Sequence, residues 1–142
     1  MESRVEKVIL LFKQGYNCAQ SVFAAYADLF GRDSEMSFKL ATPFGGGLAG
    51  MCEVCGTVSA MCMVAGLAKG ITEPGDKEGK KSCFELVHVL TDKFRQENGS
   101  IIRKQLIGLE PCVSVDFKRK LCVEQVRYCA QLYRNVNDRK YW

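Results

Sequence analysis

The sequence predicts an all-α, single-domain bundle of five to seven helices, and three observations point to it. Apolar residues recur at helical spacing along most of the chain, strand-like alternation is absent, and glycine, proline and small polar residues punctuate the periodic runs. The 142 residues suit one domain spanning 1–142, long enough to bury a core. With 47% hydrophobic and 25% charged residues, the composition is that of a globular protein.

Residues 5–12 present one apolar face, and that helix stops at Gly15. Asn17 is a good N-cap for a second helix over 18–30, with Val22, Tyr26 and Leu29 along one face and Gly31 at its end. Ser34 caps a short helix over 35–42 that closes before Pro43. Residues 44–50 contain Gly45, Gly46, Gly47 and Gly50, too many glycines for a helix or strand, so they form a loop. It leads into a helix over 55–68 that is apolar nearly all round and rich in Gly, Ala and Ser, a helix for the middle of a bundle.

After a turn at 72–76, a longer helix runs to about Gln96 with Cys83, Val87, Leu90 and Phe94 as its buried stripe, and Asn98-Gly99 ends it. Ser100 caps a short helix to Ile107, and 108–115 is a linker. The last helix covers about 116–135, with Cys122, Val126, Cys129 and Tyr133 on one face.

Charge and segment patterning narrow the setting. The formal net charge of +4 is mild, and Lys and Arg are scattered, which argues against nucleic acid as a partner. Residues 1–7 carry charges where a signal peptide needs an apolar run, and the longest apolar stretch, around 54–68, is short and broken by glycine. The expected setting is the cytoplasm.

Eight cysteines are the outlier. In a reducing compartment they read as metal ligands, redox thiols or small core residues. Cys18 lies in the first turn of its helix, and Cys55 begins the central helix after the glycine loop. Both meet the positive end of a helix dipole, which favours a thiolate as nucleophile or ligand. The loop glycines would let backbone N–H groups approach a bound group. Cys52 and Cys55 form a Cys-x-x-Cys pair, suited to a shared metal or a disulfide, though no βαβ pattern or second such pair accompanies it. Cys62, Cys83 and Cys129 read as core, Cys122 as core or ligand, and Cys112 as a linker thiol that reaches a site or is exposed. The single histidine, His88, reads as non-catalytic, and Met51, Met61 and Met63 as packing rather than copper ligands.

Gly15-Tyr16-Asn17-Cys18-Ala19-Gln20-Ser21-Val22, Phe44-Gly45-Gly46-Gly47 and Cys55-Gly56-Thr57-Val58-Ser59-Ala60, in this order and spacing, closely resemble the C_GCAxxG_C_C family of redox-active proteins. The resemblance covers nearly the whole chain, including Gly99-Ser100, residues 106–109 and Cys122. It implies a site marked by four cysteines, of which Cys18, Cys55 and Cys122 take three places, and a relation to part of the iron–sulfur-bearing split-Soret cytochromes. Thr57 stands where the family has Ala and Ala60 where it has the second Gly, while the third cysteine place falls on Arg103.

Three functional expectations follow. The first is a thiolate site where the starts of the second, central and last helices meet, with Cys18, Cys55 and Cys122 as ligands and Cys52 or Cys112 as the fourth. Gly45, Gly46, Gly47 and Gly56 would line it, and it would hold an iron–sulfur cluster, or zinc as the alternative, for electron transfer or redox sensing. The second is a metal-free dithiol with Cys55 attacking and Cys52 or Cys18 resolving. The third is a helical accessory module, serving a membrane transporter whose genes often neighbour those of the family. A redox partner protein and a homodimer are the partners expected.

Overall fold

The computed structural model describes residues 4–106, and over these the chain is a helical bundle. Six α-helices follow in order: α1 (Arg4–Lys13), α2 (Cys18–Ala27), α3 (Ser34–Ala41), α4 (Gly56–Lys69), α5 (Lys77–Asn98) and α6 (Arg103–Leu106). Short 3-10 turns at Asp28–Phe30 and Thr42–Phe44 extend α2 and α3. Among the described residues, extended pairing is limited to one antiparallel bridge, Val54 to Ile102. The predicted helix over 116–135, with Cys122 and Cys129, and the linker with Cys112 lie outside the described residues.

The bundle is built around a central pair. α2 packs on α4, α1 and α3 pack on α2, and α5 packs on α4. The reason is compositional. All but one residue of α2 are buried, and four of them, Ala19, Ala24, Ala25 and Ala27, are alanines, so neighbouring helices can approach on every side. α4 does the same with Gly56, Ala60 and Ala65, while Val58, Met61 and Val64 fill the space between the helices. α5 contributes Leu86, Leu90 and Phe94 from one stripe. Cys83 and Val87, predicted to share that stripe, are only half-buried, and Thr91 is buried in their stead. Its hydroxyl donates to the Val87 carbonyl at 2.8 Å, which satisfies it within the helix.

Several predicted ends move by a residue or more. Asp33, not Ser34, caps α3, because its carboxylate accepts from the Met36 N–H at 3.1 Å. Cys55 is the cap of α4 rather than its first residue, and Asp76 caps α5. The helix predicted to reach Phe30 tightens into a 3-10 turn at Asp28, leaving Leu29 exposed. That turn is fixed by charge: Arg4 Nη1 and Lys7 Nζ lie 2.7 and 2.8 Å from the Asp28 carboxylate, tying α1 to the end of α2. No described helix is long and apolar enough to cross a membrane.

Two outcomes test this account. Phe94 is 0% exposed and Phe84 56% exposed, so Phe94→Ala should cost about 3–5 kcal/mol in urea unfolding and Phe84→Ala under roughly 0.5 kcal/mol. Burial works to raise the Asp28 carboxyl, but hydrogen bonds and charge from Lys7 and Arg4 outweigh it and hold the group below its ordinary value. A depressed carboxylate contributes its stability above the ordinary range and loses it as pH falls through the folded value. The stability gap between wild type and Asp28→Asn should therefore be full above about pH 5 and shrink steadily below about pH 4.

Candidate functional site

The starts of α2 and α4 meet, and the Gly-Tyr-Asn-Cys-Ala-Gln-Ser segment is built to bring them together. Tyr16 stacks flat on Phe38 of α3, with ring centroids 4.0 Å apart. Asn17 caps α2, accepting from the Gln20 N–H at 2.9 Å while the Gln20 side chain accepts from the Asn17 N–H at 3.0 Å. The spare amide hydrogens of both side chains bind the end of α3: Asn17 donates to the Thr42 carbonyl, and Gln20 to the Phe38 carbonyl and the Thr42 hydroxyl. Ser21 turns its hydroxyl back onto the Asn17 carbonyl at 2.8 Å. Every polar group in the segment is thus spent on holding the first turn of α2 in place, with Cys18 as its first residue.

Cys18 points at the start of α4. A Cβ added to Gly56 would lie 2.6 Å from Cys18 Sγ and 2.7 Å from the Phe44 carbonyl oxygen, so the sulfur rests directly on the backbone of the residue after Cys55. Cys18 and Cys55 are 4% and 1% exposed and belong to the same core cluster. Each stands at a helix start, where unpaired N–H groups and the dipole favour negative charge on sulfur. Cys55 Sγ also lies 3.0 Å from the Thr57 hydroxyl. Thr57 is thus a sulfur partner that helical periodicity did not reveal. The available signal was a hydroxyl two residues after a cysteine in a helix of otherwise small and apolar residues.

The glycine loop that covers this start is unusual in its backbone. Residues 46–50 all have positive φ, between 51° and 77°, and Leu48 and Ala49 are among them; Cys52 follows at 58°. For residues with a Cβ this left-handed conformation costs about 1–2 kcal/mol each. Loop hydrogen bonds offset it, among them Gly50 N–H to the Gly45 carbonyl at 3.1 Å and Glu53 N–H to the Gly47 carbonyl at 2.8 Å. Gly47 must be glycine: it is buried, and a Cβ there would sit 3.0 Å from Arg103 Cβ and from Cys52 Cα. A Cβ at Gly45, Gly46, Gly47 or Gly56 would meet the chain itself, namely the Asn17 side chain, Gly50, Arg103 with Cys52, and Cys18 respectively.

Arg103 completes the arrangement. Residues 52–55 pair with 101–104, through Cys55 N–H to the Ile101 carbonyl at 2.8 Å, Arg103 N–H to the Glu53 carbonyl at 2.7 Å and Lys104 N–H to the Cys52 carbonyl at 3.1 Å. The pairing carries Arg103 to the edge of the loop, where it is 9% exposed. Cys52, at φ 58°, stands at one end of this paired stretch and Cys55 at the other. Cys52 is half-buried, with its thiol 3.9 Å from the Gly50 carbonyl.

Of the expected ligands the described residues include Cys18, Cys52 and Cys55, and among the described residues no three His, Cys, Asp or Glu side chains gather as metal ligands. Arg103 offers no lone pair to a metal. Cys112 and Cys122, the other residues of that expectation, lie outside the described residues. His88 is exposed on α5, and Met51 is exposed while Met61 is fully buried, so neither histidine nor a methionine group joins the site.

The described residues define a helical protein in which two buried cysteines stand at helix starts that meet beside a glycine loop. The chain belongs to the C_GCAxxG_C_C family, whose model, described as "Putative redox-active protein (C_GCAxxG_C_C)", matches residues 16–138. No curated protein and no solved structure matches the chain.

The contact at Gly56 can be measured. Gly56→Ala should cost about 1–3 kcal/mol in chemical denaturation, since the new methyl meets both Cys18 Sγ and the Phe44 carbonyl. Made in a Cys18→Ala background, the same change should cost measurably less, because the sulfur is gone. Equal costs in both backgrounds would place Cys18 elsewhere.

Proposed function

We propose that the protein is a metal-independent thiol–disulfide redox protein in which Cys55 attacks and Cys18 resolves. The observation that carries this reading is the seating of Cys18 Sγ against Gly56, beside Cys55, where two helix starts meet. Cys52, the other resolving candidate, is half-buried at the edge of the glycine loop, with its thiol 3.9 Å from the Gly50 carbonyl.

In the reaction the Cys55 thiolate attacks one sulfur of a disulfide R–S–S–R′. Its S–S bond breaks, R′S⁻ leaves and takes a proton, and a Cys55 mixed disulfide forms. The Cys18 thiol gives its proton to solvent and attacks the Cys55 sulfur, and RS⁻ departs and is protonated. Two electrons have passed from the dithiol to the substrate, leaving a Cys18–Cys55 disulfide and two product thiols.

The residues around the pair have roles in this scheme. The α2 and α4 starts stabilise charge on both sulfurs, and the Thr57 hydroxyl donates to the Cys55 thiolate. Arg103 adds a permanent positive charge to the segment that pairs with residues 53–55. The positive-φ loop over the α4 start keeps water from the sulfurs, and its opening admits the substrate.

The test uses full-length protein purified without oxygen and treated with a small disulfide. A cross-link between the tryptic peptides carrying Cys18 and Cys55 is expected, reversible by dithiol and lost in Cys55→Ser and Cys18→Ser. Thr57→Ala should slow alkylation of Cys55 about fivefold at neutral pH, by taking away a partner of the thiolate. Iron, acid-labile sulfide and zinc are measured on the same sample. Stoichiometric metal lost in Cys55→Ser would overturn this reading in favour of the thiolate-ligated centre.

A further inference from the structure

A second pair of thiols lies away from this junction. α4 and α5 form an antiparallel hairpin across the connection at residues 70–76. Cys62 stands seven residues before the end of α4 at Lys69, and Cys83 six residues after the start of α5 at Lys77. At 1.5 Å per residue these are about 10 and 9 Å from the connection, so the two cysteines sit at the same depth of the hairpin. Cys62 packs against the core cluster. Cys83 lies three residues before Leu86 and seven before Leu90, helical spacing that puts it on the same side of α5 as these buried residues. Both are half-buried free thiols, open to a small reagent.

Their electrostatics agree with this placement. Burial pushes the Cys62 thiol up from its ordinary value, and charge on Cys83 pushes it further, an effect that requires the two sulfurs to be near each other.

We infer that Cys62 and Cys83 are a second redox site of this protein, closing a reversible disulfide across the α4–α5 hairpin under peroxide. The Cys83 sulfur attacks hydrogen peroxide, the O–O bond breaks, and Cys83 becomes a sulfenic acid with release of one water. The Cys62 sulfur then displaces hydroxide from it, and that hydroxide leaves as a second water with the Cys62 proton. The two thiols lose two electrons and two protons, and the peroxide is reduced to two waters. The bond sits about 10 Å along α4 from Cys55, so it ties α4 to α5 at a level between their connection and the end where Cys55 pairs with Ile101.

The experiment treats the full chain with one to five equivalents of hydrogen peroxide, blocks free thiols under denaturing conditions, and digests with trypsin. Cleavage after Lys39, Lys69, Lys81 and Lys93 places Cys62 in peptide 40–69 and Cys83 in peptide 82–93. The expected result is a dithiol-reversible cross-link between these peptides, with two of the eight cysteines lost to alkylation. It should be absent in Cys62→Ser and Cys83→Ser, both with unchanged helical circular dichroism, and present in Cys55→Ser and Cys52→Ser. A Cys18–Cys55 cross-link would join peptide 14–32 to 40–69 instead, so the two sites are told apart by mass. Separate alkylation of Cys62 and Cys83 after peroxide, or a cross-link that survives Cys62→Ser, would overturn the inference.

Discussion

The close approach of α2 to α4 at Cys18 and Gly56 is the constraint on which the rest of the described structure depends. A helix start can rest on another only where one side lacks a Cβ, and Gly56 is that place. From this contact follow the burial of Cys18 and Cys55, the position of Phe44 over the head of α4, and the direction in which the glycine loop must turn. The remaining polar residues of the site serve the same approach. Asn17 and Gln20 bind both their own helix and the end of α3, which leaves little freedom in where the first turn of α2 can sit.

This arrangement concentrates backbone cost near two sulfurs. Leu48, Ala49 and Cys52 all occupy left-handed backbone within a few residues of the α4 start, and the surrounding hydrogen bonds hold them there. Such conformations persist only where neighbours over-determine them, and they cluster where a loop has work beyond connection. A loop of this kind has modest resistance to opening, since part of its bonding is spent on its own strain.

Arg103 and Thr57 bring polar groups into this part of the fold. The backbone pairing that brings position 103 to the loop needs only an N–H and a carbonyl, so it is indifferent to the side chain. Arg103 is nonetheless only 9% exposed, and the Thr57 hydroxyl lies 3.0 Å from Cys55 Sγ.

Much was legible in the sequence because it is set locally. Helical periodicity fixed the helices, Asn17 announced the start of α2 through its capping chemistry, and the family blocks marked Cys18 and Cys55 as residues of one site. Glycine density located the loop. It did not show that Leu48 and Ala49 share the left-handed backbone, since their side chains give no such signal. Nor did Cys-x-x-Cys spacing reveal the backbone pairing of Cys52, Glu53 and Cys55 with residues 101–104, because that pairing joins distant segments. Cys62 and Cys83 each read as core from sequence, and the folding of α5 back along α4 sets them at the same depth of the hairpin. The sequence by itself determined which segments are helices and which residues are sulfur. The tertiary structure decided which sulfurs are neighbours, because contacts between distant segments depend on how helices pack and not on any one stretch of chain.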